Sequence, residues 1–84
     1  MKTSVDISYY PLEVKFIPHI KDFIKRMNSY GNLKCETNGM STQVFGEYDE
    51  VMGALTNEIK KSFELPHSVF IIKIINADLK KEKP

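Results

Sequence analysis

The sequence predicts an α+β fold of two layers, a four-stranded antiparallel sheet with two helices on one face. Three observations predict it. Stretches of period-2 and period-3.6 hydrophobicity follow one another as strand, helix, strand, strand, helix, strand. Asn38-Gly39, the dipeptide most closely tied to tight hairpins, stands between the two middle strands. A length of 84 residues leaves room for one domain and no more. Two right-handed βα crossovers around a central hairpin then give the ferredoxin-like βαββαβ sandwich, with sheet order 4-1-3-2. Residues 1–79 are expected to form this domain and residues 80–84 a charged tail.

Each element has its own signature. Over residues 3–10, Val5, Ile7 and Tyr9 alternate with Ser4, Asp6, Ser8 and Tyr10, so one strand face is apolar and the other polar. Pro11 ends the pairing because it has no N–H to give. The first helix is expected over residues 17–30, with Pro18 in its first turn and Gly31 as the stop. Its buried stripe is Ile17, Ile20, Phe23 or Ile24, Met27 and Tyr30, which leaves Lys21, Asp22, Lys25 and Arg26 outside. Residues 33–38 and 40–47 read as the hairpin, closed by a type I′ turn in which both central residues take φ > 0. Asp49 is the expected N-cap of the second helix, whose stripe is Met52, Leu55, Ile59 and Phe63. Gly53 inside it marks close packing on the sheet, and Leu65-Pro66 breaks it. The last strand, residues 67–77, is apolar on both faces: Phe70, Ile72 and Ile74 against Val69, Ile71 and Ile75, interrupted by Lys73. Helices cover only one face, so a second subunit is expected over part of the other, in a homodimer or homotetramer.

Composition narrows the function classes. With 42% hydrophobic and 27% charged residues the chain is an ordinary globular one. A formal net charge of +1 gives no electrostatic case for nucleic acid or an anionic membrane. No apolar run approaches the ~20 residues of a membrane span and no signal-peptide pattern opens the chain, so a cytoplasmic protein without membrane insertion is expected. The single cysteine, Cys35, excludes an internal disulfide and alternates with Leu33 and Thr37 as a buried strand thiol. His19 lies in the first helical turn with no ligand at metal spacing and reads as solvated surface. No catalytic constellation, phosphate loop or metal motif is recognisable, so no enzyme activity, metal or cofactor is expected.

What remains is a concentration of polar side chains where packing alone would favour Val and Ile. Met40, Ser41, Thr42 and Gln43 follow the turn, beside Phe45 and the carboxylates Glu36 and Glu47. In the predicted order the polar triplet Asp6, Ser8 and Tyr10 lies next to them. Such a patch suits a small polar, aromatic or cationic ligand, or is simply the wet face of a hairpin. Alternation puts Thr42 and Gln43 on opposite faces, so not all candidates can serve one pocket.

Two motifs carry a resemblance: SYYPL at residues 8–12, and NGMST followed by FGE within residues 38–47. Together, at this spacing, they resemble the YkoF-like thiamine/hydroxymethylpyrimidine-binding family over nearly the whole chain. The resemblance implies a non-catalytic binding protein for thiamine or its hydroxymethylpyrimidine moiety, in a family whose members are tandem repeats in one chain or oligomers of single domains, with one copy here. Ser8, Tyr10, Asn38, Met40, Ser41, Thr42 and Gln43 are the expected ligand-binding residues. Hydroxyls and amides among them match an aminopyrimidine, while Asp6, Glu47, Tyr10 or Phe45 suit a thiazolium cation. The alternative is an ACT-like structural or regulatory oligomerisation domain without thiamine binding.

Overall fold

The computed structural model describes residues 1–80. Its order is β1 (Lys2–Pro11), α1 (Ile17–Asn28), β2 (Lys34–Thr37), β3 (Thr42–Glu47), α2 (Tyr48–Ser62) and β4 (Ser68–Ile75). All neighbouring strands pair antiparallel in the order β2-β3-β1-β4, the ferredoxin-like arrangement that the sequence predicts.

The alternation in β1 decides which face the helices cover. Val5 and Ile7 point inward with Val44 from β3, and meet Phe23 and Met27 of α1 and Val51, Ala54 and Leu55 of α2. At one end of this core Tyr9 stacks on Phe70, with centroids 4.3 Å apart and planes 1° from parallel, and Phe23 tilts against both rings. Burial of this apolar surface, at about 25 cal/mol per Å², is the main favourable term for so short a chain.

Several local expectations are corrected. Among the described residues none, glycine or other, has positive φ, so the hairpin does not close by a type I′ turn. Thr37 pairs with Thr42 across a four-residue loop instead. Asn38 holds that loop: its Oδ1 accepts from the Met40 and Ser41 amides at 2.7 and 3.0 Å, and its own N–H donates to Ser41 O. This carboxamide does locally what a left-handed backbone would otherwise do. Gly31 is not a left-handed stop either, because α1 ends at Asn28, where Ser29 N–H returns to Arg26 O and Tyr30 N–H to Met27 O. Asp49 lies inside the first turn of α2, after an N-cap at Glu47.

The packing of α2 is rotated from the expected stripe. Val51, Ala54, Leu55 and Ser62 are buried, whereas Phe63 is exposed and meets Phe70 edge-on. Nothing lies within 4 Å of a Cβ built on Gly53. The close approach is at Gly46, where a Cβ would sit 2.7 Å from Leu33 Cδ2. Arg26 is not on an outer face: its side chain is 16% exposed and reaches α2. After β4 the chain folds back over the open sheet face. Ser4 Oγ donates to Ala77 O at 2.7 Å and accepts from Leu79 N–H at 3.0 Å, and Lys80 pairs with Glu36. Residues 76–80 thereby strap the uncovered sheet face. The rest of the expected tail, residues 81–84, lies outside the described residues.

Candidate functional site

Two hollows flank the central strands, one on each side of the sheet. The first is a notch of about 150 Å³ between α1 and the hairpin loop. Its apolar wall comes from Ile7, Tyr9, Ile20, Phe23 and Ile24. The polar wall is the hairpin end, where Thr37 and Thr42 oppose one another in register with their hydroxyl oxygens 3.0 Å apart. Thr42 is buried, since β3 turns it toward the helices, and it has Thr37 as its hydrogen-bond partner. Ser41 also lines the notch, but its hydroxyl donates to Asp6 Oδ1 at 2.6 Å, on the side of the open face, and so ties the loop to β1.

Five of the seven residues expected at a ligand site line this notch: Ser8, Asn38, Met40, Ser41 and Thr42. The Met40 side chain is largely exposed there, at the rim. Tyr10 and Gln43 go elsewhere. Tyr10 is exposed on the other face, opposite Val69, and Gln43 lies on that face between Asp6 and Glu36. The strand period of two separates Gln43 from Thr42, whereas Tyr10 shares the parity of Ser8 and lies beyond the notch, one step further along β1. Thr37 and the ring pair Tyr9 and Phe23 were not among the expected residues. Thr37 was detectable as the partner of Thr42 across the hairpin, whereas Tyr9 and Phe23 read only as core.

The second hollow is a groove of about 520 Å³ on the sheet face that the helices leave open. Asp6, Gln43, Glu36 and Lys73 line its floor, with Phe45 and Ile75 beside them and Leu79 and Lys80 from the strap. Glu47 belongs to neither hollow: the Met1 amine at 3.0 Å and Lys2 at 3.2 Å hold its carboxyl below the usual carboxylate range. Cys35 is half-buried against Met27 O, and burial pushes its thiol up, the opposite of what a nucleophile needs. Among the described residues no group of three or more His, Cys, Asp or Glu is placed to hold a metal ion, and no helix is long and apolar enough to cross a membrane.

The fold recurs in solved structures of low identity. A Thermotoga maritima protein provisionally described as a thiamine biosynthesis/salvage protein superposes with a TM-score of 0.82 at 22% identity, over 92% of this chain and 85% of that one. A Streptococcus pneumoniae protein gives 0.84 at 21%, over 96% and 92%. A hypothetical protein of Methanocaldococcus jannascii gives 0.79 at 25%, over 98% and 84%. No protein-family model matches the chain, and no curated protein matches it. These likenesses establish the ferredoxin-like architecture.

Proposed function

We propose that this protein is a non-catalytic binder of thiamine or of its hydroxymethylpyrimidine half, with the pyrimidine in the notch between α1 and the hairpin. The observation that carries the reading is the pairing of the Thr37 and Thr42 hydroxyls opposite the Tyr9 and Phe23 rings. An aminopyrimidine is a flat aromatic body with a donor and an acceptor side by side. Two adjacent hydroxyls can serve both, because each is donor and acceptor at once. Small-molecule sites are typically apolar with a few fixed polar groups, which is the composition of this notch. Its size also fits a single ring, since an engineered cavity of about 150 Å³ takes benzene. The Thermotoga protein of the same fold, provisionally described as thiamine-related, supports the choice of ligand.

The reading includes self-association into a homodimer or homotetramer. Val69 and Ile71 remain 43% and 55% exposed on the open face of β4, beside exposed Tyr10. Water-facing branched side chains in a row are what a second copy would cover.

Titration calorimetry of thiamine, and separately of hydroxymethylpyrimidine, into the wild type and Thr42→Val tests the site. Loss of the hydroxyl strands its partners, so affinity should fall tenfold to a hundredfold, about 1–3 kcal/mol. Stability should fall by only about 1 kcal/mol, from the unpaired Thr37 hydroxyl. No heat with either ligand in the wild type rejects the binding function and leaves an ACT-like interaction domain as the better reading. Equal affinity in both proteins removes Thr42 from the site.

A further inference from the structure

One transverse row of side chains crosses the whole open face of the sheet. Register aligns Glu36 of β2 with Gln43 of β3, Gln43 with Asp6 of β1, and Asp6 with Lys73 of β4. The strap adds Lys80, paired with Glu36. The sequence of charges across the face is therefore plus, minus, neutral, minus, plus. All five residues line the 520 Å³ groove. The apolar walls are Phe45, buried to 8% exposure, and the more open Ile75 and Leu79.

We propose that this groove is a second binding site, for a small zwitterion with an apolar side chain, of the class of free α-amino acids. Two carboxylates and two ammonium groups sum to zero, so a net ion would bring uncompensated charge into a half-covered space. A zwitterion brings none, and this favours it on desolvation grounds. Asp6 and Lys73 are adjacent in register, which places their Cβ atoms about 4.5–5.5 Å apart. The ammonium and carboxylate of an α-amino acid are likewise neighbours, separated by a single carbon. Asp6 gives Oδ1 to Ser41 and keeps Oδ2 for the ammonium, with the Gln43 carboxamide oxygen as a second acceptor. Among the described residues Lys73 makes no ion pair, which leaves it for the carboxylate. The side chain then lies along Ile75 and Phe45, one step along the same face in β4 and β3, beneath Leu79.

The site does not depend on the notch, because neither Thr37 nor Thr42 lines it. The test is amide chemical-shift titration of the full chain with L-leucine. Two controls are 3-methylbutylamine, which lacks the carboxylate, and 4-methylpentanoate, which lacks the amine. Saturable shifts are expected at Asp6, Gln43, Lys73 and Ile75. Each control ligand should bind at least about tenfold more weakly, and so should leucine to Lys73→Met, as expected for one lost charged contact. The exposed position of Lys73 lets that variant fold, and its own spectrum verifies it. The proposal is overturned by no saturable shift up to about 10 mM leucine. It is equally overturned by controls that bind as well as leucine, by undiminished binding to Lys73→Met, or by shifts confined to residues 37–42.

Discussion

Arg26 Nη1 lies 2.7 Å from Glu58 Oε1 and 3.0 Å from the Glu58 carbonyl oxygen, and this bidentate contact fastens α1 to α2. The guanidinium also donates from Nε to Asp22 at 2.9 Å and from Nη2 to Ser62 Oγ at 2.7 Å. Glu58 receives a second donor, the Tyr30 hydroxyl, at 2.6 Å. Both ionic side chains are about 15% exposed, so water competes weakly for either. The helices touch only along a narrow line, which makes a polar clasp beside the Phe23–Met27 stripe a means of fixing their relative position.

Arg26→Ala should therefore destabilise the domain by about 2 kcal/mol, because Glu58 loses its charged donor but keeps Tyr30 and some water. Glu58→Gln should cost less, since an amide oxygen still accepts. A urea-denaturation cycle over Arg26→Ala, Glu58→Gln and the double variant should give a coupling of roughly 1–2 kcal/mol. Additive effects, with coupling near zero, would show that the clasp is ornamental.

The same contact sets a pH dependence. Burial opposes ionisation of Glu58, yet the hydrogen bonds from Tyr30 and Arg26 outweigh it and hold the carboxyl below its ordinary value. A carboxyl depressed on folding adds stability that is complete above the unfolded value of about 4.3, and this is lost as pH falls through the folded value. Denaturation midpoints should thus drop below about pH 4.5, and Glu58→Gln should reduce that drop. A wild-type midpoint that stays level down to pH 3 would contradict the assignment.

How much of this was legible in the sequence can be traced residue by residue. The period-2 pattern around Val5 and Ile7 and the doubly apolar Val69–Ile75 stretch were enough for element order and sheet order. Asn38-Gly39 announced a hairpin, but not that the Asn38 side chain would cap the loop and spare it any left-handed residue. Arg26 read as solvated because a helical wheel does not say where a second helix will lie. Alternation correctly separated Thr42 from Gln43, though not which face would hold which hollow. The strap was invisible: two hydrogen bonds to one serine leave no periodic trace. Elements follow local pattern, whereas clasps and straps depend on distant parts of the chain arriving at the same place.

Two glycines give opposite expectations. At Gly46 an added Cβ would press 2.7 Å from Leu33 Cδ2 and 3.4 Å from Val51 Cγ2, both core residues, so Gly46→Ala should cost about 1–2 kcal/mol. Trimming the obstructing methyls with Leu33→Ala should make the added cost of Gly46→Ala vanish in the double variant. Gly53 is exposed within α2 and meets nothing, so Gly53→Ala should gain about 1 kcal/mol from helix propensity alone. Thermal denaturation of the two variants decides this; melting points that move in the same direction would defeat the packing argument.

Ser4 anchors the strap to β1, donating to Ala77 O and accepting from Leu79 N–H. Ser4→Ala removes both bonds at once, but both freed backbone groups belong to a surface segment and can turn to water. Global stability should fall by about 1 kcal/mol or less, while the protection of the Leu79 amide should largely disappear. Hydrogen exchange separates the two effects when Leu79 is compared with Val5, which exchanges only when the sheet opens. The second fastening, between Lys80 and Glu36, is exposed and worth at most about 1 kcal/mol, so Lys80→Ala should leave Leu79 mostly protected. Protection that survives Ser4→Ala but falls with Lys80→Ala would invert this order and make the ion pair the anchor. Leu79 exchange that tracks Val5 in every variant would mean that the strap opens only with the whole domain.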